Sequence, residues 1–299
     1  MMAGMYAAIS GLDANQAMLD ETANDLANVN TVGYKAASVT FADSLTQVMH
    51  GASSPTSTNG GSNPLQIGLG VEVQATINEM TEGSFQTTND PLDVAIEGPG
   101  FLRVGPGTPK EAELTAETPK EVKYTRAGDL TTDAQGYLTT QSGEYVVGRN
   151  AEVATESESG DTYKAGKEET YILIPPGSSN VSIGEDGSVS YTDENSESKE
   201  FGKRVTAGYL SLATFANEDG LERLGGSLWA ATANSGTPLV GTPDTSGFGS
   251  TIGGELEMSN VDLAGEMTNM ITAERGYQAN SRTITVADEM LNTLVSMVQ

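Results

Sequence analysis

Proline and glycine punctuate the middle of this 299-residue chain and spare its ends, and no other feature restricts its fold as much. All 11 prolines lie between Pro55 and Pro243, and of the 35 glycines only Gly4, Gly11, Gly33, Gly265 and Gly276 fall outside residues 51–254. Both ends are therefore free of proline over stretches long enough for continuous helices, whereas the centre is cut into short runs by turns. The chain has to combine two long terminal helices with a turn-rich body.

At the N-terminus apolar residues recur at Met2, Met5, Ile9, Leu12, Leu19, Ala23 and Leu26, with Gln16 interposed. Steps that alternate three and four describe a heptad seam rather than a broad globular face. At the C-terminus Leu263, Met270, Tyr277, Ile284, Leu291 and Val298 fall at intervals of seven, while the complementary positions Met267, Glu274, Ser281, Asp288 and Val295 are mixed. The expectation is a helix over Ala3–Val29 and another over Val261–Val298, roughly 40 and 57 Å long at ~1.5 Å per residue. Ser259, Asn260 and Asp262 supply an N-cap signal for the second. A narrow stripe can be covered by the other helix of the same chain or by copies from other subunits. The second reading makes Met5, Ile9, Leu12, Leu19, Leu26, Leu263, Met270, Tyr277, Ile284 and Leu291 a subunit interface.

Between Thr40 and Gly254 the pattern changes to short runs of period two or β-branched enrichment, bounded by Gly, Asn, Asp or Pro, with candidate strands that include 70–77, 92–96, 101–104, 171–174, 181–183, 189–191 and 207–216. Turns such as 132–136, 184–187 and 217–220 have hairpin chemistry, so the body is read as all-β. Two stretches look like insertions. Residues 105–121 carry Pro106, Pro109, Pro119 and four glutamates, and 150–201 carry 12 acids against three lysines. Both read as solvated loops or a small exposed subdomain.

The 15 basic and 41 acidic residues give a net charge of 15 − 41 = −26, which argues against nucleic-acid and anionic-membrane partners. No segment approaches the roughly 18 to 20 apolar residues of a membrane span. The first basic residue is Lys35, so no cleavable secretory signal is expected. With no cysteine and one histidine, thiol chemistry, thiolate zinc sites and histidine metal clusters are excluded. His50 stands in a loop-like stretch without an evident partner. Gly98–Gly105 lacks the lysine and hydroxyl of a phosphate loop, and Asp186, Asp193 and Glu194 lack calcium-loop spacing. Carboxylate pairs such as Asp90 with Asp93, or Glu218 with Asp219, leave a secreted carboxylate hydrolase as a remote alternative. No cofactor and no metal are expected.

The residues at both ends then become recognisable. The run Asn24-Asp25-Leu26-Ala27-Asn28-Val29-Asn30-Thr31-Val32-Gly33-Tyr34-Lys35 resembles the N-terminal signature of bacterial flagellar rod and hook proteins. Ser259-Asn260-Val261-Asp262-Leu263, followed by residues 270–281, resembles their C-terminal signature, and 92–101 and 124–130 resemble their β segments. The resemblance implies terminal helices that pair as a coiled coil in an inner tube, and a β body outside it. It also implies self-association into a helical tube, export without a cleaved signal through the flagellar type III apparatus, and neighbours among the rod, hook cap and hook–filament junction proteins.

The expected fold is a mainly β body with paired N- and C-terminal helices, an α+β chain with discontinuous domains. The expected division is 1–31 plus 261–299 helical, 32–75 plus 245–260 linker, and 76–244 β-rich with the two acidic insertions. Within the family, 213–221, 228–232 and 275–280 look more like hook than rod, so the expected function is a short hook protein that transmits torque from rod to filament. A distal rod protein is the alternative. Replacing Ile284→Asp is expected to block polymerisation while leaving the β body folded; normal polymers of that variant in electron micrographs would remove the seam assignment.

Overall fold

A computed structural model describes residues 2–55, 60–106, 122–155, 162–194 and 202–298. The chain divides into two compact units, Met1–Asn28 with Ala36–Glu79 and Val261–Gln299, and Val29–Lys35 with Met80–Asn260.

The first unit holds helix α1 (Met2–Ala27), strands β1 (Ala37–Asp43), β2 (Thr46–His50), β3 (Leu65–Gly68) and β4 (Val71–Asn78), and helix α2 (Leu263–Val298). The two helices contain 26 and 36 residues and lie along each other. Gly11 faces Asn280 and Gly276 faces Asn15, so four residues up one helix match four residues down the other and the pair is antiparallel. A Cβ added at Gly11 would lie 2.6 Å from the Asn280 amide nitrogen, and one at Gly276 would overlap Asn15. Each helix thus supplies a glycine notch for the other's asparagine, and Asn15 Nδ2 is held by donating 2.5 Å to Gly11 O. Around this interlock the buried helical residues are Ala8, Ala14, Thr22 and Asp25 on α1, and Ala273 and Ala287 on α2.

The seam of the pair therefore runs through small and polar residues, one position out of phase with the bulky stripe. Met5, Leu12, Leu19 and Leu26 are half-buried beside it, as are Met270, Ile284 and Leu291. Ile9 (42% exposed), Leu263 and Tyr277 (40%) face outward. Small residues let two backbones approach closely, and bulky neighbours then flank the contact rather than fill it.

Residues 32–75, expected as a linker region with a strand over 70–77, carry β1 to β3 as well as the start of β4. β1 and β4 pair antiparallel with an irregularity at Thr40/Phe41 and pack on α1. Ser10 Oγ accepts from Val71 N (3.2 Å), and Gly70, at φ +133°, lies against Ser10 and Ala7 without room for a side chain. β2 and β3 form a hairpin whose residues are all exposed.

The second unit is an antiparallel β body of β5 (Phe85–Thr87), β6 (Val94–Glu97), β7 (Phe101–Gly105), β8 (Lys123–Thr125), β9 (Leu130–Thr132), β10 (Leu138–Thr140), β11 (Tyr145–Thr155), β12 (Thr162–Tyr171), β13 (Ser179–Ile183), β14 (Ser188–Thr192), β15 (Arg204–Leu210), β16 (Leu212–Thr214), β17 (Glu222–Gly225), β18 (Leu228–Ala230), β19 (Leu239–Gly241), β20 (Ser250–Gly253) and β21 (Glu255–Glu257). Its main sheet follows the order β13-β14-β15-β11-β7-β8-β18-β17, with β20 paired to β6 and β21 to β5 beside it. Val94, Ile96, Leu102, Leu138, Val146, Leu210 and Leu212 fill one core cluster. Phe101, Tyr124, Phe215, Leu221 and Trp229 fill a second, in which Tyr124 meets Phe215 edge-on at 4.8 Å. Each such buried side chain contributes about 1.5–3 kcal/mol.

Two boundaries differ from expectation. Residues 245–260 are strands β20 and β21 rather than linker. The described residues of the acidic stretch 150–201 are largely sheet: β13 and β14 fall on the expected runs 181–183 and 189–191, β14 joins β13 to β15, and β12, which pairs with β11, is additional. Ile183 and Val189 of β13 and β14 are buried, Glu152 and Glu168 are exposed on β11 and β12, and Glu185 and Asp186 are exposed in the turn between β13 and β14. The other expected insertion falls outside the described residues from 107 to 121, as do 156–161 and 195–201. Gly128 sits against the carbonyl of Val94, leaving no space for a Cβ. Gly128→Ala is expected to destabilise the β body by about 1–3 kcal/mol through overpacking, read as a lowered urea midpoint with unchanged slope.

Candidate functional site

The N-terminal signature ends in a buried charge cluster of the β body, and the C-terminal signature begins two residues after the cluster's acid, Glu257. Residues Val29–Lys35 belong to that unit although α1 does not. Asn24 prepares the exit from the helix: its carbonyl accepts from Asn28 N at 3.1 Å and from the Asn28 side chain at 2.9 Å. Thr31 O then accepts from Tyr34 N, closing a turn in which Gly33 adopts φ +65°. A side chain at Gly33 would strike the backbone of Arg126 and Ala127, the closest atom lying 2.5 Å from its Cβ. Glycine is required there on both counts.

Lys35 enters the body fully buried. Its Nζ donates to Glu257 Oε1 (2.5 Å) and Thr81 O (2.7 Å), and both side chains of the ion pair have no exposed surface. Glu257 is the terminal residue of β21, and its second oxygen lies 3.3 Å from Arg126 Nη1. Gly83 N donates to Glu257 Oε1 at 3.0 Å, and Gly33 N donates to the Glu257 carbonyl at 2.8 Å. Arg126 Nη2 donates to Gly98 O (2.9 Å), and its guanidinium lies over the Phe101 ring. One carboxylate thus serves two cations. Burial holds the Lys35 ammonium below the ordinary lysine range; Glu257 opposes that effect and Arg126 adds to it. Breaking such a pair by removing one partner typically costs about 3–5 kcal/mol, because a charge is left uncompensated.

A second layer fixes the backbone of the signature. Arg223 donates to the Tyr34 hydroxyl (3.2 Å) and to the Lys35 carbonyl, while its guanidinium stacks 5.0 Å from the Tyr34 ring and 5.2 Å from that of Trp229. Ser227 Oγ donates to Val32 O at 3.1 Å. On the C-terminal side, Asn260 Nδ2 donates to Thr81 Oγ1 (2.8 Å) and Thr81 O (3.1 Å).

Lys35, Gly33, Tyr34 and Asn260, expected as signature residues, are thus brought into one body. Asn24 and Asn28 secure the helix end, Leu26 is half-buried, and Ala27 and Asn30 are exposed. Glu257, Arg223 and Trp229 were not singled out from sequence, and Arg126 was noted only within a β segment. A usable signal was present: Lys35 is the one basic residue before Arg103 and is flanked by Gly33-Tyr34 and Ala36-Ala37, an apolar setting that calls for an acid.

In the first unit, Asp262 caps α2 by accepting from Ala264 N at 3.0 Å. Asp25, fully buried, accepts from Ala37 N at 3.1 Å and so ties the end of α1 to the start of β1. Glu266, in the first turn of α2, is raised above the ordinary glutamate range, first by burial and then by the carboxylate of Asp25, with Glu79 and Asp262 adding to it and the Asn269 amide opposing it. The remaining tempting carboxylates serve turns. Asp90 accepts from Leu92 N, Asp93 from the Thr88 hydroxyl and Asp186 from Ser188, while Glu218 and Asp219 form a single 3₁₀ turn. His50 is exposed, with Nδ1 2.7 Å from the adjacent Gly51 carbonyl. No group of three or more metal-ligating side chains occurs among the described residues.

The raised Glu266 gives a signed pH dependence. Its contribution to the stability of the helical unit is fully present below the ordinary glutamate range and is lost as pH rises through the higher folded-state value. Thermal melts of helical circular dichroism from about pH 4 to about pH 7 should therefore show a decline that Glu266→Gln flattens; an identical slope in that variant would refute the assignment.

Three family models match the chain. "Flagella basal body rod protein" covers residues 5–35, "Flagellar hook protein FlgE/F/G D1 domain" covers 95–191, and "Flagellar basal body rod FlgEFG protein C-terminal" covers 252–297. Each contains one member of the buried trio: Lys35, Arg126 and Glu257. The flagellar basal-body rod protein FlgG of Bacillus subtilis is 39% identical over 99% of both chains, and that of Agrobacterium fabrum is 35% identical over 97% of both. The flagellar hook protein FlgE of Borreliella burgdorferi is 25% identical, covering 99% of this chain and 100% of its own. Full-length identity at that level, together with models that meet at the charge cluster, shows that the chain belongs to the flagellar basal-body rod and hook protein family.

Proposed function

We propose that this chain is a structural subunit of the flagellar basal-body rod, in its distal part, and that it is not an enzyme. The observation that carries the reading is full-length identity of 39% to a rod protein of matching length, against 25% to a hook protein in an alignment of 452 residues. The rod thereby takes precedence over the short-hook expectation. Physical reasons for that change lie in the body. Residues 213–221 and 228–232, which suggested a hook, supply Ala213, Phe215, Leu221 and Trp229 to the aromatic core. Their identities follow from packing, a demand that a rod and a hook subunit of the same fold both meet.

As a rod subunit the protein self-associates into a helical tube in the flagellum, reached by type III export without a cleaved signal. Hook cap and hook–filament junction proteins belong with the hook alternative; rod and hook proteins are the neighbours a distal rod subunit meets. Its helices support assembly because pairing leaves apolar surface uncovered: Ile9 and Tyr6 on α1, and Leu263, Met267, Ile271, Tyr277, Val286 and Met290 on α2 are exposed. Together with Met5, Leu12, Leu19, Leu26, Met270, Ile284 and Leu291 at the flanks, they form the proposed interface between copies. The β2–β3 hairpin, with Leu45 at 80% exposure and Val48, Met49 and Leu65 also exposed, is a second surface for bridging neighbouring subunits. Exposed apolar area on this scale is characteristic of surfaces that become covered.

Gold labelling of a tagged chain in isolated hook–basal bodies tests the assignment. Label on the rod is the expected result, and label along the hook would restore the alternative.

A further inference from the structure

We propose that Lys35, Arg126 and Glu257 form a closure latch: the N-terminal signature seats in the β body only when strand β21 delivers Glu257, so both ends of the body become fixed in one step. The inference does not depend on the rod assignment.

Charge balance comes first. Lys35 and Arg126 are buried and share the Glu257 carboxylate. Without it, two cations would be buried together, and the further acid facing Lys35 is Glu82, whose Oε2 accepts from Gly98 N at 3.3 Å. Burying a charge without its partner is strongly unfavourable, so neither cation can settle early. Sequence distance comes second. Glu257 lies 222 residues after Lys35 and 131 after Arg126. A chain that emerges N-terminus first therefore holds both cations long before their anion.

The same strand also supplies backbone. Glu257 O receives Gly33 N, Met258 N donates to Ser84 O, and β21 pairs with β5. Side-chain and main-chain closure are therefore one event. The state of the latch is transmitted through Arg223, which holds the Lys35 carbonyl and stacks on both Tyr34 and Trp229. Trp229 is the sole tryptophan of the chain, so its emission reports seating of Tyr34 and Lys35 without interference.

The charge count makes an ordered prediction for the full-length chain. Glu257→Gln leaves two cations and no anion. Lys35→Met leaves Arg126 paired with Glu257. The double variant leaves a single cation facing an amide. Opening should follow Glu257→Gln > double variant > Lys35→Met, whereas a role limited to packing makes the double variant the worst of the three. Opening is read as chymotrypsin cleavage after Tyr34, a site every variant retains, together with a red shift of Trp229 emission. Far-UV circular dichroism follows the β body as a whole. Cleavage roughly 100-fold faster in Glu257→Gln with the dichroism retained, and slower again in the double variant, is the expected result. The latch is overturned if the double variant is cleaved as fast as Glu257→Gln or faster, or if cleavage in all variants tracks loss of the dichroism signal. Should Glu257→Gln not fold, a folded double variant supports the latch and an unfolded one overturns it.

Discussion

A carboxylate shared between two buried cations is the constraint around which the β body is arranged. Glu257 is compensated in its buried place only when Lys35 approaches from one end of the chain and Arg126 from the middle. Gly33 must then take a left-handed conformation, because its backbone runs against that of Arg126 and Ala127. Arg223 completes the arrangement by holding the carbonyl that follows the turn. The short strand β21 matters far more than its three residues suggest, since it carries the one group that neutralises the site.

The distribution of charge acquires a different meaning from this. Most acids stand on solvated strand faces and loops, where mutual repulsion keeps bodies apart. Basic residues are few, and those that form ion pairs among the described residues do so in buried or part-buried places: Lys35 and Arg126 with Glu257, Arg103 with Glu169, and Lys123 with Glu144. Arg103 also donates to Ser211, which ties β7 to the segment joining β15 and β16. The ion pairs among the described residues therefore draw Lys35, Arg103 and Arg126 inward, while Lys203, Arg275 and Arg282 stay exposed.

How much of this was legible varied with the physics involved. Helix extent could be read closely, because the absence of proline and the heptad spacing act over dozens of residues. The β character of the centre was legible for the opposite reason, because turn residues cut it into short runs of period two. The phase of the helix seam was not, since Ala8, Gly11, Asn15, Ala273, Gly276 and Asn280 carry little hydrophobic signal and the neighbouring Leu and Met residues carry much. Within the acidic stretch 150–201 the runs 181–183 and 189–191 mark strands through their β-branched residues, whereas the acid-rich composition of 162–170 hides β12. The alternating run 70–77 marks β4, whereas β1 to β3 read as linker for want of aliphatic density. In the site, the signature named Gly33, Tyr34 and Lys35, yet nothing local identifies Glu257 as their partner, because pairing at long range is decided by topology.

The interlock of Gly11 with Asn280 and of Asn15 with Gly276 has a consequence for geometry. Two helices joined by bulky aliphatic residues can often slide by a heptad at small cost, since one leucine resembles the next. Here a slide of seven residues would move Asn15 away from Gly276 and set its amide against Asn269 or Thr283, so the two notches are not refilled together. The longitudinal offset of the two helices is therefore a fixed length carried by every copy of the chain. In any ordered array of such copies, that length acts as a ruler written into the subunit before it meets its neighbours.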